Sequence, residues 1–201
     1  MTSVTIIGAG NMGGAIAGIA TAGGSSVQVL TRDGAEVEGT TAGKIGDPIS
    51  GDIVVLALPY PAVSEVLSTY EGQLDGRVLV DLTNPLDFAT FDGLTVPAGS
   101  SAAAELAKSL PGSSVLKAFN TNFAATLATK NVAGITTTVL IAGDDADAKS
   151  ALAGVIEAGG LKAVDAGSLK RAHELEALGF LQLTLAAGEK ISWTGGFGLN
   201  H

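Results

Sequence analysis

No cysteine occurs anywhere in the 201 residues. That absence removes disulfides, thiolate nucleophiles, thiolate metal ligands and iron–sulfur clusters together, so any redox chemistry has to use a bound cofactor. Aromatic residues are scarce at 4%, and histidine is limited to two residues, one of them the terminal His201. Cations are also few: 11 Lys and Arg stand against 20 Asp and Glu, a formal charge of −9. A field of that sign opposes nucleic-acid phosphates and anionic lipid, so neither a nucleic acid nor a membrane is expected as a partner. The longest apolar stretch, Met12 to Ala22, is interrupted by glycines and too short to span a bilayer. The chain opens Met1-Thr2-Ser3 without a basic n-region, and a soluble cytoplasmic protein is expected. No metal site is assigned.

What is present is glycine, 28 residues, within a chain that is 46% hydrophobic. The length and the apolar fraction suit one compact domain with a small appendage. Apolar, β-branched runs alternate with helical windows between Gly, Pro, Asp and Asn clusters. Strands are expected at Val4–Ile7, Val27–Leu30, Ile53–Leu58, Val78–Leu82, Val115–Phe119, Thr137–Ile141 and Lys162–Asp165. Helices are expected at Met12–Ala22, Pro61–Tyr70, Ala102–Leu110, Asn122–Thr129, Ala146–Ala158 and Leu169–Ala187. Between Arg32 and Gly51, glycines and Pro48 interrupt every helical window, so the usual crossover helix should be missing. The alternation predicts an α/β protein with a doubly wound, mostly parallel sheet, whose ligand lies beyond the carboxyl ends of the strands.

Gly8-Ala9-Gly10-Asn11-Met12-Gly13 is a G-x-G-x-x-G that follows the first strand and opens the first helix. Gly8 permits the tight turn, Gly10 lets the backbone approach a pyrophosphate, and Gly13 lets the helix sit close to the sheet. The helix N-terminus then offers free N–H groups to the phosphates, giving a Rossmann, NAD(P)-binding site. The second strand ends Leu30-Thr31-Arg32-Asp33. A hydroxyl and a guanidinium there suit a ribose 2′-phosphate, which favours NADP over NAD. Asp33 is placed either to pair with Arg32 or to accept from a ribose.

Three further loops, Leu58-Pro59-Tyr60-Pro61, Thr83-Asn84-Pro85-Leu86 and Phe119-Asn120-Thr121-Asn122, should converge on the same rim. No residue is assigned as a catalytic acid or base. His173 lies on a charged helical face, Lys117 lies inside a strand, and Tyr60 is as well placed to cover a cofactor as to donate a proton. Carbonyl reduction needs a donor near the developing alkoxide, whereas hydride exchange between two bound rings does not need one in the same way.

These segments, together with Ser100-Ser101-Ala102-Ala103-Ala104-Glu105-Leu106, Val115-Leu116-Lys117-Ala118-Phe119-Asn120, Ala142-Gly143-Asp144-Asp145 and Val164-Asp165-Ala166-Gly167-Ser168-Leu169, resemble the NADPH-dependent coenzyme F420 reductases across nearly the whole chain. The chain is also similar to the cytoplasmic NADPH/flavin oxidoreductase domain of metalloreductases. The resemblance implies a domain that binds NADP and stacks a second, tricyclic ring against the nicotinamide, usually as a homodimer. It places Gly10, Asn11 and Met12 on the pyrophosphate, Thr31 and Arg32 on the 2′-phosphate, and Leu58 and Pro59 on the nicotinamide. Asn84, Pro85 and Asn120 would border the second ring, and the tail around Phe197 would cover it. The deazaflavin enzymes carry His-Thr where this chain has Asn120-Thr121. Asn120 can donate a hydrogen bond to a ring carbonyl but cannot supply a proton as His can.

The expected activity is hydride transfer between NADP(H) and a deazaflavin. Alternatives are an NADPH-dependent reductase of FMN, FAD or a ferric chelate, and a non-catalytic NADP-binding redox sensor. Residues 1–165 form the expected NADP-binding domain. Residues 166–201 form a C-terminal helix and glycine-rich tail that complete the site and a homodimer interface: Leu175, Leu178, Phe180, Leu181, Leu183 and Leu185 are too many for a narrow stripe, so part of that surface is expected to pack on a partner, the alternative being that it caps the sheet edge within one chain.

Overall fold

The computed structural model describes residues 2–200, so His201 lies outside it. Its elements run β1 Ser3–Ile7, α1 Asn11–Ala22, β2 Ser26–Thr31, β3 Thr41–Lys44, β4 Ile53–Leu56, α2 Tyr60–Thr69, β5 Val78–Asp81, α3 Ala102–Ser109 and β6 Ser114–Ala118. Then follow α4 Ala124–Thr129, the two-residue strands β7 Asn131–Val132 and β8 Ile135–Thr136, β9 Thr138–Gly143, α5 Ala146–Ala158, β10 Lys162–Gly167, and α6 Ala172–Ala187 after one 3₁₀ turn, Leu169–Arg171.

The main sheet has the order β10-β9-β6-β5-β4-β1-β2-β3. Strands β1 to β6 are mutually parallel, and β9 joins β6 antiparallel. The reversal follows from α4 and the small β7–β8 hairpin, which turn the chain before it re-enters the sheet. Helices cover both faces, as a parallel sheet requires. In β4 every residue is buried: Ile53 and Val55 pack in the cluster with α1 and α5, while Val54 and Leu56 pack in the cluster with α2 and α3. Strand ends lie within a few residues of expectation, and α5 starts and stops at Ala146 and Ala158 with Asp145 as its N-cap, accepting from Ala148 N.

Two features differ from expectation. The connection after β2 lacks a helix, as expected, yet it contains an edge strand, β3, whose Thr-Ala-Gly-Lys sequence pairs with β2 and is largely solvent-facing. Such a polar edge strand has no apolar alternation to announce it. The second difference concerns α6. Its buried stripe is Ala172, Leu175, Glu176, Gly179, Gln182 and Ala186. Of the leucines expected to be shared between a partner surface and this chain's own sheet, Leu175 lies in the chain's own core at 5% exposure, whereas Leu181 is 49% exposed. The inward face of the helix is small or polar, and most of its leucines lie elsewhere.

Candidate active site

The phosphate loop follows from three glycines with three different constraints. Gly8 takes φ 107° and donates its N–H to Leu30 O at 2.9 Å. A Cβ there would lie 2.3 Å from Ala57 O, and one on Gly13 would lie 2.1 Å from Gly8 O. Gly10 is the extended N-cap of α1, and a Cβ on it would meet nothing within 4 Å. The space in front of Gly10 is thus open, and no side chain caps α1 or brings an acidic group to its first turn. An anion fits that helix end.

At the end of β2, the Thr31 hydroxyl donates to Asp33 Oδ1 at 3.0 Å and accepts from Ala35 N at 2.8 Å. The hydrogen bond from Thr31 is the main reason the Asp33 carboxyl is held below its ordinary range. Asp33 is thereby tied into the local turn and does not pair with Arg32, which is exposed. Lys44 is a second cation at this place, since it is the register partner of Thr31 on β3 and its side chain runs beside Gly34. Lys44 escaped the sequence reading because β3 itself did.

Beyond β5 and β6, a cleft of about 420 Å³ brings together Asn11 and Met12 from α1, Leu82 and Asn84 after β5, and Asn120, Asn122 and Phe123 after β6. Ala124 and Ala125 of α4, Leu183 of α6, and Trp193 and Thr194 of the tail complete its lining. Four of the residues singled out in the sequence, Asn11, Met12, Asn84 and Asn120, share this cleft. Pro85 is buried behind it, and Leu58 and Pro59 stand at the end of β4, with Leu58 against Gly8. Phe197 lies outside the cleft. Its N–H donates to Gln182 Oε1 at 3.0 Å beside a smaller neighbouring pocket, and Trp193 takes the place expected for it. A larger cleft of about 880 Å³ between α2 and α3 contains none of the phosphate-loop residues.

The floor of the cleft is an amide ladder. Asn120 Nδ2 donates to Asn84 Oδ1 at 2.9 Å and to Leu175 O at 2.8 Å, and Asn84 Nδ2 donates to Asn120 O at 3.0 Å. Both amide hydrogens of Asn120 are therefore engaged within the protein, leaving none free for the ring carbonyl it could otherwise reach. Its Oδ1 is buried without a protein partner, as is Asn122 Oδ1. Phe119, immediately before Asn120, is buried at 1% exposure with φ 64°. A bulky residue in the left-handed region costs roughly 1–3 kcal/mol and persists only where packing over-determines it. Here it turns the chain out of β6 so that Asn120 reaches Asn84.

Beneath the ladder lies an ion cluster. Lys117 Nζ is 2.9 Å from Asp81 Oδ2 and 2.7 Å from Glu176 Oε1, all three side chains being at most 1% exposed. Lys117 also donates to Thr83 O. Glu176 accepts from Ala102 N at 2.9 Å and Ala103 N at 3.3 Å, at the start of α3. Burial pushes the Glu176 carboxyl up, with Lys117 opposing the rise. Lys117 is thus a fixed structural cation rather than a donor at the cleft. Tyr60 is also pushed up, by burial and then by Glu176. His173 is exposed, its Nδ1 3.0 Å from Ser100 O, in keeping with a surface role. Among the described residues no group of three or more His, Asp or Glu is arranged to hold a metal, and no helix is long and apolar enough to cross a membrane.

The family profile for coenzyme F420-dependent NADP oxidoreductases matches residues 3–85, from β1 through the phosphate loop to Asn84-Pro85. An F420-dependent NADP reductase of Methanocaldococcus jannaschii is 30% identical over 151 residues, covering 72% of this chain and 66% of that protein. The reductase of the same name from Methanothermobacter marburgensis is 29% identical over 174 residues, 82% of this chain and 75% of that protein. Among solved structures, a protein from Arthrobacter sp. FB24, provisionally named an F420-dependent NADP reductase, superposes with a TM-score of 0.86 over 100% of both chains at 23% identity. With its Rossmann-type sheet, its glycine loop and these relatives, the chain belongs to the oxidoreductase family of coenzyme F420-dependent NADP oxidoreductases.

Proposed function

We propose that the protein exchanges a hydride between NADP(H) and the deazaflavin coenzyme F420. The observation that carries this reading is the position of the 420 Å³ cleft, which begins at Asn11 and Met12, beside the phosphate loop, and extends over the ends of β5 and β6. A dinucleotide laid across the rim would start at Arg32 and Lys44 with its 2′-phosphate, cross Gly8 to Gly13 with its pyrophosphate, and reach Leu58 and Pro59 with its nicotinamide. The next strands in the sheet order, β5 and β6, carry the cleft, so a second ring would adjoin the nicotinamide there. The bound dinucleotide supplies a hydride equivalent at its nicotinamide ring. The chain's residues orient the rings and keep water out, which is where the rate of a ring-to-ring transfer is decided. Leu82, Met12 and Leu183 provide apolar walls, and the amide ladder fixes the floor.

Residues 166–201 belong to the same reading, since α6 supports Asn120 through Leu175 O and the tail lines the cleft mouth. The exposed apolar groups Leu181 and Leu199 suit a homodimer contact, which light scattering tests: a monomer at micromolar concentration refutes it. The reaction is tested by mixing the protein with NADPH and, separately, coenzyme F420, FMN and FAD, while following each chromophore. Reduction of F420 matched by NADPH oxidation is expected. Tight NADPH binding without reduction of any acceptor would refute the reading in favour of a sensor.

A further inference from the structure

Trp193 is the chain's one tryptophan and is 52% exposed at the mouth of the cleft. An exposed residue of that size is ordinarily mobile, but here one ring packs against the indole and hydrogen bonds fix the backbone on which it stands. The segment Ser192–Gly195 is a closed turn, with Gly195 N donating to Ser192 O at 2.9 Å and Thr194 N donating to Ser192 Oγ at 3.1 Å. One side of the indole is propped by Phe123, ring centroids 5.1 Å apart at 52°, and Phe123 is itself only 7% exposed. The tail beyond is clamped by Gln182, which donates to Thr121 O at 3.1 Å and accepts from Phe197 N at 3.0 Å. Gly196, at φ 133°, passes close enough that a Cβ would lie 3.0 Å from Gln182 Oε1.

We propose that Trp193 is the stacking platform for the planar tricyclic acceptor, and that the Gln182 clamp positions it. The proposal rests on the hydride-exchange reading and adds the residue that selects the ring. An aromatic side chain already packed against a second, tilted ring binds flat heteroaromatics with little further loss of side-chain freedom. Its place over β5 and β6, past the end of β4, assigns it to the second ring and not to the nicotinamide.

Calorimetric titration with oxidised coenzyme F420 in the absence of NADPH reads binding without turnover. Trp193→Ala is expected to weaken F420 about 10-fold, the usual scale for loss of a stacking aromatic, and Trp193→Phe to recover most of it. NADPH affinity should stay within about twofold of wild type in both variants. Unchanged F420 affinity in Trp193→Ala, equal loss for NADPH, or no F420 binding by the wild type overturns the proposal. If the wild type binds F420 in a Trp193-dependent way but transfers no hydride, the platform stands and the reaction falls. If hydride transfer proceeds and Trp193→Ala binds F420 normally, the reaction stands and the platform falls.

Discussion

Replacing Lys117 by Met removes the one cation that two buried carboxylates share. The side chain is fully buried, and Met fills most of its volume, so the packing term is small and the electrostatic term dominates. Glu176 keeps the N–H groups of Ala102 and Ala103, and Asp81 keeps that of Thr83. Neither keeps a counter-charge in the cluster. Breaking a buried pair by deleting one partner costs about 3–5 kcal/mol. For a chain of this size that converts to a fall in Tm of about 6–20 °C, read by calorimetry or circular dichroism. The loss should depend on pH with a definite sign. Glu176 is already raised above its ordinary range by burial, and removing Lys117 raises it further. Its folded form therefore holds a proton more tightly than its unfolded form. Below the ordinary Glu range Glu176 is protonated in both states and its own unpaired charge is absent. As pH rises through the folded value the deficit develops. The variant should be closest to wild type at or below the ordinary Glu range and fall further behind it as pH rises above that range. A loss below about 1 kcal/mol at neutral pH, or one independent of pH, would refute the account of the cluster.

Glu176→Gln should remove the wild type's own decline in stability above the ordinary Glu range, seen as a flatter plot of urea midpoint against pH. Gly10→Ala should leave Tm unchanged, because its Cβ meets no atom, yet weaken NADPH at least 10-fold by filling the space in front of the loop. Gly13→Ala should lose about 1–3 kcal/mol of stability as well, because its Cβ is driven into Gly8 O; equal effects of the two variants on Tm would contradict the roles given to these glycines. Arg32→Ala and Lys44→Ala should each weaken NADPH roughly 10-fold while changing NADH little, read as the ratio of the two Kd values. Equal losses for both cofactors would remove the 2′-phosphate from this strand end.

The phosphate loop was legible in the sequence because its chemistry is local: one strand, one turn and one helix within about 20 residues fix where each glycine lies. Asn84 and Asn120 were legible as rim residues for a similar reason, each following an apolar strand. Their direction was not. That Asn120 spends both hydrogens inside the protein depends on Leu175, 55 positions away, and on the left-handed turn at Phe119, which no propensity scale assigns to a phenylalanine. Lys44 was hidden for a third reason, since an exposed edge strand of small and polar residues carries no periodic signal.

Helix α6 shows how the site is built. Its inward face is Leu175, Gly179 and Gln182 at the spacing of successive helical turns, with Glu176 beside them. Each position answers a polar requirement of the strand ends: Leu175 O receives Asn120, Glu176 neutralises Lys117, and Gln182 donates to Thr121 O. Gly179 makes room, since a Cβ there would lie 2.4 Å from Asn84 Oδ1 and 2.9 Å from Asn120 O. Where α6 side chains meet the strand-end carbonyls and amides they must be small or polar, because each buried polar group needs a partner, and Leu175 meets this need through its backbone carbonyl. Leu178, Leu181 and Leu185 are left outside that buried stripe while Leu183 reaches the cleft wall, so the leucine pattern alone does not mark the functional side. The same arrangement should recur wherever a terminal helix closes a polar site: the stripe to search for is the one poor in leucine and holding glycine and amides at helical spacing.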